Sequence, residues 1–423
     1  METSDRKETK GIVASAPFHL MAKPAGPRCN MACEYCFYTE KDSLFPVGDS
    51  WRMSDAVQEA YISQVAETLT GPEVQYAFQG GEPTLAGLDF FRRAVELAQK
   101  HAAGRRVSFA LQTNGLLLDD DWCMFLADNN FLVGISIDGP KWIHDRYRKD
   151  GKGGTHFEEV LGTVERMKKR GVEFNTLTVV NRLNAKHGPE VYRFLKELGV
   201  QHMQFIPLVE RQSDQTAVAL GLDLAAPPDR DGTAEPMPVM PWSVRSEDYG
   251  EFLSRIFDEW VRNDVGAIFV QTFETALGNW MGLGSGICVH AERCGRALIL
   301  EHNGDVYACD HYVYPPYRRG NILEKHLRDI VDSPEQIRFG NDKADRLPRC
   351  CRECKWLFAC RGACPKHRFM RAKGGEWGLN YLCAGHRRFY AHIDPHLKTL
   401  AGLLREGRPA QAIMQELAER ERK

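Results

Sequence analysis

The sequence lacks three features: a large net charge, a long apolar run and an apolar N-terminal leader. The formal net charge is −2 over 423 residues, which argues against broad electrostatic binding to nucleic acid or to an anionic membrane. No apolar run approaches the ~20 residues needed to span a bilayer. The polar N-terminus METSDRKETKG carries no signal-peptide core. We therefore expect a cytoplasmic protein with neither nucleic-acid nor membrane partners.

Cysteine, in contrast, is abundant. The chain has thirteen cysteines, and metal binding explains that number better than disulfides do in a cytoplasmic protein. Three cysteines lie at 29–36, Cys123 stands alone, and nine lie between 288 and 383. Cys123 falls in an amphipathic segment among large apolar residues, so we expect it to pack in the core.

The length favours two domains. From residue 18 to about 210, short apolar runs alternate with amphipathic segments. The predicted strands are 18–23, 74–79, 107–113, 132–137, 173–180 and 203–208, and the predicted helices are 54–68, 89–102, 119–127, 157–170 and 189–198. This alternation predicts an α/β fold of about six β/α units, a parallel sheet with helices outside that stops short of the eight units of a closed barrel.

The rest of the chain is organised differently. Residues 211–242 are rich in Pro, Ala and Asp and have little periodicity, which indicates an irregular insertion or linker. Helices are predicted at 247–261 and 272–281, before the cysteine-rich region, and the tail 395–423 is predicted to be helical and solvent-facing. We divide the chain into a partial barrel (1–240), a helical linker (241–285), a cysteine-rich domain (286–385) and a C-terminal helical tail (386–423).

The first cysteine group has an unusual ligand count. Cys29, Cys33 and Cys36 are spaced C-x3-C-x2-C in a loop after the first predicted strand. Three thiolates hold three irons of a 4Fe–4S cluster and leave the fourth iron open, whereas a structural site closes itself with four protein ligands. A zinc loop with a distant fourth ligand is the alternative.

Polar motifs follow the next three predicted strands, at the edge where parallel β/α folds build their active sites. Gly80-Gly81-Glu82-Pro83 follows the second strand; adjacent glycines let a ligand approach the backbone, and Glu82 could accept a hydrogen bond from a bound ammonium. Gln112–Gly115 and Ser136–Gly139 end the third and fourth strands. Arg148 could pair with a ligand carboxylate, and Arg146 competes for that role. A tight turn, a polar turn and a surface arginine are the respective alternatives.

The C-terminal cysteines supply enough ligands for two closed sites. Eight of them have suitable spacing for two four-thiolate sites, and Cys350 is surplus. Zinc and Fe–S are both consistent with such sets. The spacing alone equally allows sequential or crossed sets of ligands.

Together these motifs resemble a known family. The C-x3-C-x2-C spacing is the signature of the radical S-adenosylmethionine (SAM) enzymes, and Gly-Gly-Glu-Pro matches their motif for the SAM amino group. The C-terminal cysteines resemble a SPASM domain. Within that group the chain resembles the anaerobic sulfatase-maturating enzymes, through FHLMAKP (18–24), FQGGEPTLAGL (78–88), VYACDH (306–311) and YLCAG (381–385). Residues 211–242 show no match.

The resemblance implies a partial (β/α)6 radical SAM barrel followed by a SPASM domain, with three 4Fe–4S clusters and S-adenosyl-L-methionine. It implies one auxiliary cluster on Cys288, Cys294, Cys309 and Cys364 and the other on Cys351, Cys354, Cys360 and Cys383. The implied SAM contacts are Tyr35, Gly81, Glu82, Ser136, Arg148 and Leu208. It also implies that Asp310 is the catalytic base, with Tyr38 and Gln79 near the substrate. The alternative for Asp310 is a polar turn residue.

The function implied by the resemblance is sulfatase maturation. A cysteine or serine in an unfolded sulfatase segment (Cys/Ser-x-Pro/Ala-x-Arg) would lose a hydrogen from Cβ and become Cα-formylglycine, with an electron donor such as flavodoxin or ferredoxin. Another SPASM peptide maturase, for example one that forms a thioether crosslink, is one alternative. A non-catalytic Fe–S or zinc-binding protein is the other, and the open three-cysteine site argues against it.

Overall fold

A single large sheet forms the centre of the computed structural model, which describes residues 13–46, 48–228 and 238–422. Its strands are β1 (His19–Lys23), β2 (Glu73–Phe78), β3 (Arg106–Thr113), β4 (Phe131–Ser136), β5 (Phe174–Val180), β6 (His202–Pro207), β7 (Phe269–Val270), β8 (Ala297–Glu301), β9 (Asp305–Tyr307) and β10 (Arg318–Asn321). Their order is β10-β9-β8-β1-β2-β3-β4-β5-β6-β7. A separate hairpin pairs β11 (Met370–Arg371) with β12 (Trp377–Leu379).

The helices follow the strands in the alternation that the sequence predicts. They are α1 (Asp55–Thr68), α2 (Leu88–His101), α3 (Asp120–Asp128), α4 (Lys141–Tyr147), α5 (Phe157–Arg170), α6 (Gly188–Glu197), α7 (Gln215–Ala219), α8 (Ser246–Asn263), α9 (Gln271–Trp280), α10 (Leu327–Val331), α11 (Pro334–Asp345), α12 (Arg349–Arg352), α13 (Leu357–Cys360), α14 (Cys383–Arg405) and α15 (Ala412–Glu421). The short helix α4 was not predicted.

The predicted parallel sheet is confirmed. Strands β1 to β6 pair in parallel and in sequence order, and each lies within two residues of its predicted bounds. Side-chain caps set some of the helix starts: Ser54 accepts a hydrogen bond from the Val57 amide, and Asp119 accepts one from the Trp122 amide. The α2 residues Phe91, Ala94 and Ala98 are buried at helical spacing, which packs this helix onto the sheet. The sheet is not closed, because β7 and β10 lie at its two ends.

The cysteine-rich region continues this sheet instead of forming a separate layer. Strand β8 pairs in parallel with β1 over five residues, and Lys23 lies opposite Glu301 in the register. Strands β9 and β10 then extend the sheet in antiparallel fashion. The proposed domain boundary at residue 286 therefore does not interrupt the sheet, and the carboxyl ends of β1 and β8 meet at one edge.

The C-terminal tail is not solvent-facing, so that prediction was wrong. Helix α14 begins at Cys383, before the proposed boundary at 386, and buries Ile393, Leu397 and Leu400. Helix α15 buries Ile413 and Leu417. The reason is that the tail carries apolar residues at three- and four-residue spacing, and this stripe packs against α8. The helices of the linker region, α8 and α9, are thereby part of the packed core.

The segment at 211–242 has little regular structure where it is described. It contains the five-residue α7 and two isolated bridges, Arg211–Val239 and Gln212–Leu224. Residues 229–237 lie outside the described part of the chain. Within the described ranges, no helix combines the length and the apolar character that crossing a bilayer would require.

The contact between α8 and α14 generates a stability prediction. A Cβ on Gly385 of α14 would lie 1.9 Å from the Ser246 carbonyl oxygen of α8, and a Cβ on Gly250 would lie 2.5 Å from the Gly385 carbonyl oxygen. Gly385→Ala should therefore force the helices apart and lower the free energy of unfolding by about 1–3 kcal/mol. The measurement is the thermal unfolding midpoint of the purified full-length protein.

Gly402, on the same helix, is the matched control for this prediction. A Cβ on Gly402 meets no atom within 4 Å, so Gly402→Ala should leave stability unchanged or raise it by up to about 1 kcal/mol through better helix propensity. Equal midpoints for the two variants would show that the close approach of α8 and α14 does not constrain the fold.

Candidate active site

The three-cysteine loop follows directly from the end of β1. The Gly26 amide donates to the Lys23 carbonyl (3.1 Å), and Gly26 has a positive φ of 54° that closes this turn. Further along, the Cys36 amide donates to the Cys33 carbonyl (2.9 Å). The Met31 amide and the Asn114 side chain lie 3.3 and 3.7 Å from the Cys29 sulfur. This folding brings the thiols of Cys29, Cys33 and Cys36 together.

Electrostatics of these thiols fit a metal cluster. Burial, with a smaller contribution from neighbouring thiols of the group, raises the pKa of Cys29 to about 12 and that of Cys33 to about 11. Because the thiolate is the form that binds metal, such thiols need a cationic centre to be ionised at neutral pH. The donor set therefore fits an iron–sulfur cluster held by three cysteines.

Gly81 is required by the approach of the cysteine loop. A Cβ at this position would lie 2.0 Å from the Arg28 carbonyl oxygen. The amides of Gly81 and Glu82 donate to the carbonyls of Gly26 and Arg28 at 2.9 and 2.8 Å. The Gly-Gly-Glu-Pro turn is thus hydrogen-bonded to the backbone that leads into the first cysteine.

Glu82 is more deeply placed than its motif suggested. Its fully buried carboxylate accepts hydrogen bonds from the Thr84 amide and hydroxyl (3.1 and 2.6 Å), the Thr113 hydroxyl (2.8 Å) and the Asn114 amide (2.8 Å). Burial raises the pKa of Glu82, although these hydrogen bonds oppose the shift. The carboxylate joins the ends of β2 and β3, and the predicted contact with a ligand ammonium remains a prediction.

Two of the predicted SAM contacts, Tyr35 and Arg148, form a buried polar group with Asp138. Arg148 donates to both oxygens of Asp138 (3.0 and 3.1 Å), and the Tyr35 hydroxyl donates to the same carboxylate. Arg146, the competing arginine, is about half exposed and pairs with Glu34 (2.9 Å). The structure therefore places Arg148, and not Arg146, inside the cleft.

The remaining predicted contacts lie at the same sheet edge. Ser136 accepts a hydrogen bond from the Gln112 side chain (3.1 Å). Leu208 is buried in an apolar cluster with Tyr35, Tyr147, Leu224 and Trp242. Gln79 is partly exposed just after β2, and its amide donates to the Ala22 carbonyl (2.9 Å).

Asp310 is held beside the three-cysteine loop by a buried lysine. The Lys23 ammonium lies 2.6 Å from the Asp310 carboxylate, with the lysine 1% and the aspartate 22% exposed. Burial acts to raise the pKa of Asp310, but the charge and hydrogen bond of Lys23, together with His311 and Lys366, outweigh it and hold that pKa below its usual value. Asp310 is therefore an ionised, partly accessible carboxylate.

The hydroxyl of Tyr38 hydrogen-bonds a different carboxylate from that of Asp310. The hydroxyl donates to the fully buried Glu301, and the Lys23 ammonium lies 3.1 Å from the centre of the Tyr38 ring. Burial and the neighbouring Glu301 raise the pKa of Tyr38 well above its usual value, so the phenol keeps its proton. The predicted substrate contact by Tyr38 remains a prediction.

The C-terminal cysteines separate into two groups. In the first, burial raises the pKa of Cys309 and of Cys364, and nearby thiols add to it: Cys364 and Cys288 act on Cys309, and Cys288 and Cys294 act on Cys364. The backbone carbonyls of Cys288, Val289 and Ala291 accept hydrogen bonds from the buried Lys343.

In the second group, five thiols line one cavity of about 620 Å³: Cys350, Cys351, Cys354, Cys360 and Cys383. Cys364 is thus brought to the first group and not to its sequence neighbours, an arrangement that matches the crossed sets and not the sequential ones. Within the described chain, no three His, Cys, Asp or Glu side chains form a site for a single metal ion; the cysteines form these wider groups.

Two residues of this edge, Lys23 and Glu301, were missed as functional candidates. Each is the last residue of a strand that is otherwise apolar, Leu-Met-Ala-Lys and Leu-Ile-Leu-Glu. A charged residue at the carboxyl end of a buried strand is the signal that would have identified them. The lone Cys123 is buried in the core as predicted.

Family comparisons agree with this geometry. A family model described as the radical SAM superfamily matches residues 24–195, and one described as an iron–sulfur cluster-binding domain of the SPASM type matches residues 288–355. The chain is therefore a radical SAM protein with a SPASM domain, and these domains imply 4Fe–4S clusters and SAM as its cofactors.

Individual relatives narrow this class. A serine-type anaerobic sulfatase-maturating enzyme of Bacteroides thetaiotaomicron is 43% identical over 92% of this chain and 93% of its own length. A cysteine-type enzyme of Clostridium perfringens is 33% identical over 91% and 98%. The solved structure of native anSMEcpe with bound AdoMet has a TM-score of 0.79 at 32% identity, over 91% of this chain and 100% of its own. The chain belongs to the anaerobic sulfatase-maturating enzymes.

This membership confirms the predicted family and shows that the protein is an enzyme. The alternative of a non-catalytic Fe–S or zinc protein is therefore wrong. Streptococcus suis SuiB bound to S-adenosylmethionine has a TM-score of 0.59 at 15% identity, which shows a shared fold only.

Proposed function

We propose that this enzyme oxidises a serine or cysteine side chain in an unfolded sulfatase segment to Cα-formylglycine. The observation that carries the proposal is the position of Asp310. This partly exposed carboxylate lies against Lys23, at the start of the three-cysteine loop, and directly follows Cys309 of the first C-terminal cysteine group. Relatives whose names state sulfatase maturation, and an anSMEcpe structure with a bound Cp18Cys peptide, support it.

The oxidation requires three transfers. For serine, one hydrogen atom leaves Cβ, one proton leaves the hydroxyl, and one further electron leaves the substrate to give the aldehyde. For cysteine, the corresponding thioaldehyde then reacts with water and releases sulfide. When bound, the clusters and SAM supply the acceptor for the hydrogen atom and the path for the electron.

The protein's own residues supply orientation and the proton acceptor. Asp310 takes the proton from the substrate hydroxyl or thiol, a role that needs an ionised carboxylate within hydrogen-bond reach. The proposed SAM contacts are Tyr35, Gly81, Glu82, Ser136, Arg148 and Leu208, and Gln79 and Tyr38 border the substrate. The Asp138 carboxylate fixes the guanidinium of Arg148 for this purpose.

Three clusters account for eleven of the thirteen cysteines, all except Cys123 and Cys350. Cys29, Cys33 and Cys36 hold the SAM-binding cluster, and the crossed sets Cys288/Cys294/Cys309/Cys364 and Cys351/Cys354/Cys360/Cys383 hold two auxiliary clusters. The separate grouping of Cys364 supports this assignment. An electron donor such as flavodoxin or ferredoxin completes the system.

A matched pair of peptides tests the function. Reconstituted enzyme, SAM and a reductant are incubated anaerobically with peptides that differ only in Ser or Cys at the target position of a Ser/Cys-x-Pro-x-Arg segment. We expect 5′-deoxyadenosine and a formylglycine peptide detected by mass spectrometry. The serine-type relative at 43% identity leads us to expect that the serine peptide is oxidised. Absence of aldehyde from both peptides, with 5′-deoxyadenosine still formed, would point to a different peptide modification.

Iron content tests the cluster assignment. Anaerobically reconstituted protein should hold about twelve irons, and replacing Cys29, Cys33 and Cys36 together by Ala should remove about four of them and abolish SAM cleavage. Cys364→Ser should disturb the first auxiliary cluster, whereas Cys350→Ser should keep the full iron content because Cys350 is the exposed, surplus thiol. Zinc in place of iron in the C-terminal region would contradict the assignment.

Asp310→Asn tests the base. The variant should retain its clusters and still cleave SAM, because neither depends on this carboxylate. Aldehyde formation should fall by roughly 10²–10⁴-fold, the range for loss of a positioned base. The measurement is the ratio of aldehyde to 5′-deoxyadenosine at saturating peptide. An unchanged ratio at wild-type rate would make Asp310 a turn residue only.

A further inference from the structure

Two opposite charges are buried side by side at the carboxyl ends of β1 and β8. Lys23 and Glu301 are register partners in this parallel pair, and their side chains are 1% and 0% exposed. Burying a charge is costly unless it is paired and hydrogen-bonded. Charged residues are rarely fully buried, so the contacts of Lys23 and Glu301 indicate what these two residues do.

Each of these charges contacts a different part of Tyr38. The Tyr38 hydroxyl donates to one oxygen of Glu301, which fixes the ring in place. The Lys23 ammonium lies over the face of that ring, 3.1 Å from its centre, in a cation–π contact. Glu301 therefore sets the position of the Tyr38 ring, and the face of that ring contacts the Lys23 ammonium.

Glu301 lies against the ring of His302 on the side away from its hydrogen bond with Tyr38. Its second oxygen lies 3.7 Å from Nδ1 of His302, and Nε2 of His302 lies 3.0 Å from the Asp49 carboxylate. The rings of Phe45 and Trp51 pack against His302 with ring centres 5.1 and 5.2 Å away. The Glu301 carboxylate is therefore bordered by a packed ring, and its second oxygen makes no hydrogen bond to the described residues, so Tyr38 supplies the hydrogen bond to this carboxylate.

The ammonium of Lys23 also contacts the proposed base, Asp310. Its ammonium lies 2.6 Å from one oxygen of Asp310, so the cation is held between the Tyr38 ring and the Asp310 carboxylate. Asp310 belongs to a short 3-10 turn, Asp310–Tyr312, and such a turn does not by itself fix a side chain. The contact with Lys23 is the hydrogen bond that orients this carboxylate.

We propose that Lys23 and Glu301 are positioning residues for the oxidation: Glu301 fixes the Tyr38 ring, the ring fixes the Lys23 ammonium, and Lys23 holds the Asp310 carboxylate toward the substrate. The proposal rests on the proposed function, in which Asp310 takes the substrate proton. A displacement of a reacting group by about 1 Å can cost about 10²-fold in rate. Both side chains are buried, so the proposal assigns them no contact with the substrate.

Lys23→Met and Lys23→Arg test the proposal together. The Met variant keeps the apolar stem and loses the cation, so kcat for aldehyde formation should fall by about 10²-fold with KM for the peptide unchanged. It should form 5′-deoxyadenosine in excess over aldehyde. The Arg variant keeps a cation that stacks on an aromatic ring and should recover about tenfold of the loss. Glu301→Gln should also lower kcat for aldehyde formation with KM for the peptide unchanged, but by a smaller factor.

A second lysine provides the matched control. Lys196 lies 2.7 Å from Asp264, which also accepts a hydrogen bond from the Tyr192 hydroxyl (2.7 Å), so the same three residue types meet on α6 and after α8. Lys196→Met should change thermal stability without changing the aldehyde ratio. Iron content and thermal unfolding midpoints are measured for all variants. A merely structural role for Lys23 would lower both of these, together with SAM cleavage and aldehyde formation, and Lys23→Arg would not restore them.

The outcomes separate this proposal from the function it rests on. If the wild-type enzyme forms no aldehyde from either peptide, the proposed function fails. If the wild type is active and Lys23→Met retains its kcat and its aldehyde ratio, the function stands and the positioning role is refuted. A Lys23→Met variant that loses iron and SAM cleavage in proportion to aldehyde also refutes the positioning role.

Discussion

The parallel pairing of β1 with β8 is the interaction that joins the two halves of this enzyme. Strand β1 leads into the three-cysteine loop, and β8 leads through β9 to Cys309 and Asp310. Because parallel strands end at the same edge of a sheet, this one pairing brings the loop of Cys29, Cys33 and Cys36 and the side chain of Asp310 to a common cleft. A slip of one residue in its register would place Lys23 and Glu301 on opposite faces of the sheet.

The buried charged side chains of this cleft each have a polar or aromatic partner. Glu82 is surrounded by four donors, Arg148 is matched to Asp138, and Lys23 lies between an aromatic ring and Asp310. Each pairing lowers the cost of removing a charge from water and also fixes a side chain in one orientation. The thiols follow the opposite rule, because their burial disfavours the thiolate until a metal centre is present. Preorganisation and cluster binding therefore depend on the same low exposure to solvent.

Sequence periodicity predicted the first six strands and their helices well, since these elements alternate regularly and each buries one clear apolar face. The tail was predicted poorly: Ile393, Leu397 and Leu400 form a stripe whose partner, α8, is more than a hundred residues away in the chain. The residue patterns pointed to the cysteines and to Arg148, and the family resemblance pointed to Asp310. Lys23 and Glu301 were missed, because the signal that each gives is a single charged residue at the end of an apolar strand and not a spaced motif.

The sequence by itself determined the chemistry that this protein can carry: the number and spacing of thiols, the glycines that the cysteine loop requires, and a carboxylate after Cys309. These are local properties, expressed within a few residues of chain. Only the tertiary structure decided which residues act together. Cys364 joins Cys288 instead of its neighbours, Arg148 and not Arg146 enters the cleft, and Lys23 meets Asp310 across 287 positions of sequence. Such pairings follow from strand order and register, which the spacing of residues along one chain does not specify.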